Sequence, residues 1–329
     1  MRALLIGMVT AWIAQAQFTE IAATDDGSHV YVTTQFVIDG VTGFTAQPRI
    51  FHIAGGQVSL FAQASPAGPG GTIPGGPAGT VAGPQVSADG TVAGYSLANL
   101  CSDSMCSTQY AESYLNLPSA RDLGIGNLRL SRNGRWALLA SANFTGTGSA
   151  NLIDLESGTT TNIAGGPTNN WFGSTDNWSV ASDGSVLTGD TVWKAGQTTT
   201  LSISTLHASV ALSDDGSTVI FTAIIPGSGT QLIAHNVASG QEIMIDGSGP
   251  NAAVPLPSPL SVSADGRFVL YNTTGLVSGA PVTNSYVADT TAGTSYPLPL
   301  NDGESMTAGV LNGSATSAFV ATSLCRSQT

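Results

Sequence analysis

Charge is scarce in this sequence. Only 9% of its 329 residues are charged, whereas globular domains average about 25%. The chain has a single lysine, Lys194, and a net charge of -12. Because so few cations cannot form a basic patch, we expect no binding to nucleic acid or to an anionic membrane surface. The polar surface must come from Ser, Thr, Asn, Gln and Gly, a composition common in extracellular β proteins.

Cysteine is also rare, with three residues in the chain. Cys101 and Cys106 are close enough in sequence to form a small disulfide loop in an oxidising compartment, and we predict this disulfide. A metal site would need further ligands, and no histidine lies near the pair in the sequence. Cys325 is left over as a free thiol, an intermolecular link or a sign of a longer chain.

Only one long apolar run occurs, and it lies at the N terminus. Met1-Arg2 is followed by an apolar stretch from Ala3 to Ile13 and by Ala14-Gln15-Ala16, the pattern of a secretory signal peptide with its cleavage site. We predict a signal peptide at residues 1–16, cleavage after Ala16, and a secreted or periplasmic protein. The apolar stretch is too short for an anchor, and no second run of about 18 apolar residues follows, so we predict no membrane span.

Motifs for common enzymatic chemistry are missing. The sequence has no G-x-S-x-G nucleophile motif and no glycine-rich phosphate motif between a strand and a helix. The four histidines are scattered, which is more typical of structural positions than of metal ligands or bases. They are His29, His52, His207 and His235. We predict no cofactor and no metal.

What the sequence does contain is a repeated turn. A polar phrase with Asp-Gly or Asn-Gly lies between apolar runs, a strong hairpin signal because glycine accepts a positive φ. The seven copies are Thr24-Asp25-Asp26-Gly27, Ser87-Ala88-Asp89-Gly90, Ser131-Arg132-Asn133-Gly134, Ser182-Asp183-Gly184, Ser213-Asp214-Asp215-Gly216, Ser263-Ala264-Asp265-Gly266 and Asn312-Gly313. The turn carboxylates lack the alternating ligand set of a calcium loop, so we assign them to the turns.

The copies recur on average about every 48 residues, which is the length of a propeller repeat. The shortest unit, after Gly184, has room for four short strands and no helix. We predict an all-β propeller over residues 17–322, with seven units of four-stranded antiparallel blades and the seventh blade only half present. The predicted blades are residues 18–63, 85–122, 127–164, 178–203, 207–246, 259–300 and 305–322, followed by a tail at 323–329.

The repeated phrase resembles that of a known family. Ser-x-Asp-Gly before a strand, followed by a strand ending in Asp and a turn with Gly, resembles the WD-like repeat of TolB-type bacterial propellers. That family usually has Pro after the Ser, where this chain has Ala88, Arg132 and Ala264. The resemblance covers nearly all of residues 18–322 and implies the propeller fold. It implies no particular activity, because propellers have many functions.

The last predicted unit has only two strands. Nothing in the predicted mature chain precedes Phe18 that could complete it, so we expect an open strand edge at residues 305–322, which favours pairing with another chain. Either a partner or a missing domain covers this edge, or the sequence is a fragment of a longer protein.

The longer connections are predicted on the face opposite the seven turns, where binding commonly takes place. One of these connections carries aromatic and polar side chains that could stack on a sugar or a peptide. The candidate binding residues are Trp171, Phe172, Asp176 and Trp178. The alternative is that the aromatic side chains, above all Trp178, pack between blades.

We therefore predict a non-enzymatic scaffold that binds a protein or a glycan through its loop-rich face, with no catalytic residue assigned. The alternatives are a lactonase-, glycosidase- or lyase-type enzyme with a site at the central channel, or the propeller part of a larger secreted protein. The channel distinguishes the scaffold from the enzyme. His, Asp, Glu or Arg from three or more blades at its mouth would favour an enzyme, whereas Ser, Thr and Ala would oppose one.

Overall fold

The structure is a computed structural model that consists of β strands and turns. It describes residues 5–7, 18–34, 37–39, 43–45, 49–63, 80–101, 109–142, 147–167, 178–201, 207–225, 229–245, 258–277, 280–300 and 304–324. None of these residues belongs to a helix that could cross a membrane.

Six antiparallel sheets of four strands form the blades, and within each blade the strands pair in chain order. Blade 1 contains Phe18–Ala23, His29–Thr34, Arg49–Ala54 and Gln57–Gln63. Blade 2 contains Thr80–Val86, Ala93–Cys101, Gln109–Leu117 and Arg121–Ile125. Blade 3 contains Asn127–Leu130, Trp136–Ala142, Thr147–Asp154 and Thr160–Pro167. Blade 4 contains Trp178–Val180, Val186–Thr188, Thr191–Lys194 and Gln197–Thr200. Blade 5 contains His207–Leu212, Thr218–Ile225, Gly229–Asn236 and Glu242–Ile245, and blade 6 contains Ser258–Val262, Phe268–Val277, Ala280–Asp289 and Thr294–Pro297.

The second strand of a blade is buried on both faces, and its alternate side chains contact different neighbours. In blade 3, Leu138 packs in a cluster with Trp178 of blade 4, whereas Leu139 packs in a cluster with blade 2. In blade 5, Ile220 packs with blade 6 and Phe221 with blade 4. Successive side chains of a strand point to opposite faces, so one nearly continuous apolar strand joins a blade to both of its neighbours.

The strands Glu304–Leu311 and Ser317–Leu324 form a three-stranded sheet with Leu5–Gly7, here called the terminal sheet. Leu5–Gly7 pairs in parallel with Ser317–Leu324. The first strands of the blades contact one another in order around a circle, and Glu304–Leu311 contacts the first strands of both blade 6 and blade 1. The terminal sheet therefore lies between those two blades.

The prediction of seven units with a half-present seventh blade is wrong, because the structure has six four-stranded blades and a terminal sheet of a different composition. In the full chain, Ser317–Leu324 is paired at residues 317–319 with Leu5–Gly7, which lies within the predicted signal peptide. The open edge expected for a chain cleaved after Ala16 stays a prediction. The sequence could not show this pairing, because the apolar Leu5–Gly7 fits a signal peptide and its partner lies at the other end of the chain. A separate two-stranded sheet, Val37–Asp39 with Gly43–Thr45, was also not predicted.

In the repeated turns, the Asp side chain accepts hydrogen bonds from other residues of its own turn. Asp89 Oδ1 accepts hydrogen bonds from Ser87 Oγ at 2.7 Å and from Thr91 N at 3.0 Å. These bonds, first that from the Ser87 hydroxyl, lower the pKa of Asp89. Asp215 and Asp265 accept the matching pair of bonds in blades 5 and 6. The carboxylates therefore stabilise the turns, as assigned from the sequence.

The last turn has a different register from the predicted one. Ala315 N donates to Asn312 O at 2.9 Å, just as Gly90 N donates to Ser87 O at 3.0 Å. Asn312 therefore takes the Ser position, and Ala315 takes the Gly position with a φ of 51°. Gly313 lies where the other turns have the residue before Asp, so Asn312-Gly313 is not the counterpart of the Asp-Gly pairs.

Candidate functional site at the channel mouth

The seven turns meet around one mouth of the central channel. Each turn contributes one residue to this mouth, namely the residue that precedes the turn Asp or precedes the residue aligned with that Asp (Asn133 and Ser314). These mouth residues are Asp25, Ala88, Arg132, Ser182, Asp214, Ala264 and Gly313. Several are linked through the backbone: Asp25 N donates to Ala88 O at 2.9 Å, Ala88 N to Arg132 O at 2.7 Å, and Ala264 N to Gly313 O at 3.0 Å.

Side chains complete the circle where backbone bonds do not. Between blades 3 and 4, Asn133 Nδ2 donates to Ser182 O at 2.9 Å. Between the terminal sheet and blade 1, Gly313 N donates to Asp25 Oδ1 at 3.0 Å. The turns thus form a continuous hydrogen-bonded rim through all six blades and the terminal sheet.

Arg132 connects distant parts of this rim. Its guanidinium in blade 3 forms an ion pair with the Asp25 carboxylate of blade 1, and Nη2 also donates to Leu311 O of the terminal sheet at 3.4 Å. A Cβ at Gly313 would lie 2.8 Å from Arg132 Nε and 3.0 Å from Asp25 Oδ2, so a larger residue at that position would displace the side chains of this ion pair. The ion pair therefore braces the junction where the circle closes.

Asp214 of blade 5 is the second carboxylate at the mouth. Its Oδ1 accepts hydrogen bonds from Ser182 Oγ at 2.6 Å and from Arg132 N at 3.3 Å. Burial lowers the pKa of Arg132, while the negative charge of Asp214 acts in the opposite direction. Two carboxylates and one guanidinium from blades 1, 3 and 5 therefore meet at the mouth, and each has a partner within the propeller.

The mouth residues offer charge stabilisation and hydrogen bonding but no metal centre. Among the described residues, no three His, Cys, Asp or Glu side chains converge as metal ligands. Arg132 Nε is buried, and within the described part of the chain it has no hydrogen-bond acceptor. Nη2 donates to Asp25 and to Leu311 O, so the chemistry of the mouth is that of a structural ion pair with an additional carboxylate beside it.

The structure describes only some of the binding residues predicted from the sequence. Trp178 opens blade 4 and is completely buried in the core between blades 3 and 4, which favours the packing alternative over contact with a ligand. Trp171, Phe172 and Asp176 lie outside the described residues, so their role stays a prediction.

The predicted disulfide also stays a prediction. Cys101 ends the second strand of blade 2 and pairs with Gln109 of the third strand. Cys106 lies in the connection between these two strands, outside the described residues.

Two of the four histidines come together, which their spacing in the sequence did not indicate. His29 Nδ1 and His52 Nε2, on neighbouring strands of blade 1, are 2.8 Å apart and share a hydrogen bond. Tyr31 stacks on His52 with ring centroids 4.6 Å apart. Burial, and then the charge of His29, lowers the pKa of His52. Because the two nitrogens face each other in a hydrogen bond, the pair is not arranged to hold a common metal ion.

The charged mouth residues were missed as a group. Asp25 and Asp214 looked like extra carboxylates of two unrelated turns, and Arg132 looked like a departure from the usual proline. A comparison of the position before Asp across all seven turns would have found them, because that position faces the channel mouth in each turn.

The fold and the mouth define the class of the protein: it is a β-propeller of six four-stranded blades whose circle is completed by a terminal sheet. No protein-family model matches the sequence, and no curated protein matches it. Solved structures do match. The β-propeller domain of the Trilobed protease from Pyrococcus furiosus has 10% identity and a TM-score of 0.60, over 92% of this chain and 88% of that one.

Two further structures extend this comparison. The acylaminoacyl peptidase of Pyrococcus horikoshii has 11% identity and a TM-score of 0.55, over 92% of this chain and 48% of that one. TolB from Acinetobacter baumannii has 14% identity and a TM-score of 0.45, over 87% of this chain and 64% of that one. TolB proteins are among the similar structures. Identities this low establish the fold alone.

Proposed function

We propose that this protein is a secreted or periplasmic binding scaffold without catalytic activity, which binds a protein or a glycan. The binding surface is the connection face, defined as the face opposite the turns. The connections between second and third strands and those between blades leave from this face. The longest of them are residues 35–48, 64–79, 168–177 and 246–257.

The observation that carries this proposal is the bonding of the charged mouth residues. Asp25 is engaged by Arg132 and by Gly313 N, and Asp214 is engaged by Ser182 and by Arg132 N. Groups that are held in this way join the blades and are not free acids or bases. The channel mouth is therefore occupied by its own hydrogen bonds, which favours the connection face over the mouth as the main binding surface.

Site-specific photo-crosslinking tests the binding face. A photo-reactive phenylalanine analogue replaces Phe172 on the connection face or, as the control, Arg135 at the turn face, and the full chain is expressed in the producing cells. We expect one discrete protein or glycan adduct from position 172 and none from position 135. Equal labelling from both positions, or no adduct from position 172, would contradict the proposal.

An enzyme is the second candidate, favoured by one observation: Asp25, Arg132 and Asp214 come from three different blades and meet at the channel mouth. The measurement is hydrolysis of a panel of lactones and p-nitrophenyl glycosides by the full chain and by Asp214→Asn. We expect no turnover above background from either protein. Turnover that Asp214→Asn abolishes would instead establish the enzyme.

A further inference from the structure

A small cleft lies at the turn face between blades 5 and 6, with a volume of about 170 Å³. Asn236 and Gln241 from the third turn of blade 5 form one wall, and Asp265 and Arg267 from the first turn of blade 6 form the other. Ala234 and Ile243 add apolar surface, and Thr291 adds a hydroxyl. The residues that line the cleft do not include the charged mouth residues Asp25, Arg132 and Asp214.

The polar groups around the cleft are fixed in place but retain hydrogen-bonding capacity. Asn236 Oδ1 accepts bonds from Ala238 N at 3.1 Å and Ser239 N at 2.9 Å, which leaves its NH₂ group as a donor. Asp265 uses Oδ1 for its own turn, with Ser263 Oγ at 2.7 Å and Arg267 N at 3.0 Å. Its second carboxylate oxygen makes no bond to any described residue.

Arg267 is held from two sides. Its Nε and Nη2 donate to Asp289 Oδ2 at 3.2 and 3.0 Å, and its guanidinium lies over the Phe268 ring, 5.0 Å from the centroid. These contacts leave the Nη1 donors for a ligand, and they fix the guanidinium before binding, which reduces the entropy lost on association.

The charges select against an ionic ligand. Asp289 and Asp265 both place a negative charge near the single Arg267 guanidinium, so an anion would meet an excess of negative charge. A cation would meet the Asp265 carboxylate beside the Arg267 guanidinium. A neutral ligand with several hydroxyl groups fits better, because a hydroxyl both donates to a carboxylate and accepts from an amide or a guanidinium.

The volume of the cleft suits a ligand group with a single six-membered ring. An engineered protein cavity of about 150 Å³ binds benzene, a six-membered ring, and the present cleft is of similar volume. The apolar surface of Ala234 and Ile243 suits the C–H face of such a ring, while the polar walls suit its hydroxyl groups. We propose that this cleft binds one pyranose unit of a neutral saccharide. The proposal does not rest on the proposed scaffold function, since it concerns the opposite face.

Saccharide titration of the full chain tests this proposal. The probes are the methyl glycosides of glucose, galactose, mannose and N-acetylglucosamine, followed by ligand-observed NMR. We expect saturable binding of at least one probe with a Kd in the millimolar range. The variant Arg267→Gln should weaken that binding roughly tenfold, the equivalent of about 1.4 kcal/mol.

Arg135→Gln is the matched control. Arg135 makes the same kind of ion pair, with Asp154 at 2.9 Å, and its guanidinium also lies 5.0 Å from the centroid of an aromatic ring, that of Trp136, but it does not line the cleft. A second cleft variant, Gln241→Ala, changes an exposed side chain and leaves the Arg267 ion pair intact. We expect weaker binding from Gln241→Ala and unchanged binding from Arg135→Gln. Absence of saturable binding of every probe, or equal weakening by Arg135→Gln, would overturn the proposal.

Discussion

Two kinds of Arg–Asp pair occur on the turn face, one at the channel mouth and one at the outer rim. The mouth pair, Arg132 with Asp25, joins residues 107 positions apart on different blades. The rim pair of blade 3, Arg135 with Asp154, joins residues 19 positions apart within one blade. The same kind of ion pair therefore links two different blades at the channel mouth and links two parts of a single blade at the rim.

The two kinds of pair also differ in exposure. The Arg132 side chain is 19% exposed, whereas those of Arg135 and Arg267 are 47% and 54% exposed. Exposed ion pairs contribute little because water screens them, while a charge left unpaired in a partly buried site loses its compensation. We therefore expect the distance of an ion pair from the channel, more than its residue types, to determine how much it stabilises the protein.

The largest loss of stability is expected from a substitution in the first turn of blade 6, which packs against blade 5. Gly266 has a φ of 73°, and a Cβ there would lie 2.6 Å from Thr218 Cβ of blade 5. Gly266→Ala should destabilise the protein by about 2–5 kcal/mol, from the left-handed backbone and the steric overlap together. Gly55→Ala, at a φ of 56° with open space around it, should cost about 1–2 kcal/mol. Denaturant unfolding measures both, and equal losses would show that contact between blades is unimportant at this turn.

The next largest effect separates the mouth pair from the rim pair. Arg132→Gln removes the partner of Asp25 and the bond to Leu311 O, and should cost about 1.5–3 kcal/mol, as expected for hydrogen bonds to charged groups. Arg135→Gln should cost about 0.2–1 kcal/mol, as for exposed ion pairs. Melting temperatures of both variants provide the comparison. A larger loss of stability for Arg135→Gln would contradict the view that the mouth pair stabilises the protein more than the rim pair does.

Acid should weaken the turns and the rim. The backbone N–H of Ser28, and then the Thr24 hydroxyl, lower the pKa of Asp26 to about 2, and the hydrogen bond from Arg135 lowers the pKa of Asp154 to about 2. An unfolded Asp has a pKa of about 3.9, so this stabilisation is present above about pH 4 and is lost as the pH falls through about 2. Melting temperatures measured between pH 5 and pH 2 should fall progressively. An Asp26→Asn variant should show a smaller fall, and an equal fall would exclude Asp26 as a contributor.

The smallest effect is expected at the exceptional last turn. Ala315 adopts a φ of 51° where the blade turns have glycine. Ala315→Gly relieves the left-handed strain but adds the entropy cost of glycine, so we expect stabilisation of up to about 1 kcal/mol. Chemical denaturation detects this difference, and a destabilised variant would contradict the register assigned to this turn.

Local patterns predicted most of the fold. Ser-x-Asp-Gly turns located the inner hairpins, because their hydroxyl, carboxylate and glycine act within five residues, and the repeat length indicated four-stranded blades. The pattern did not reveal the terminal sheet, since the pairing of Leu5–Gly7 with residues 317–319 depends on contacts between the chain ends. It also misplaced the last turn, where Ala315 replaces the glycine that marks the other copies.

The candidate site was less predictable than the fold. Arg132 and Asp25 looked unrelated in the sequence, because only the closed circle brings their side chains together. The cleft between blades 5 and 6 likewise depends on turns from two blades. The sequence indicated which residues form each turn, but not which residues of neighbouring turns face one another.

The bond between Gly313 and Asp25 has a consequence for how the protein is made. The two residues lie 288 positions apart, so during synthesis blade 1 emerges long before the strand that completes its contacts. Contacts at this separation slow folding, since a large loop must close before they stabilise the chain. The side of blade 1 that contacts the terminal sheet therefore remains uncovered until the last strands leave the ribosome. Truncated chains that end before Gly313 therefore carry an exposed sheet that is prone to aggregation.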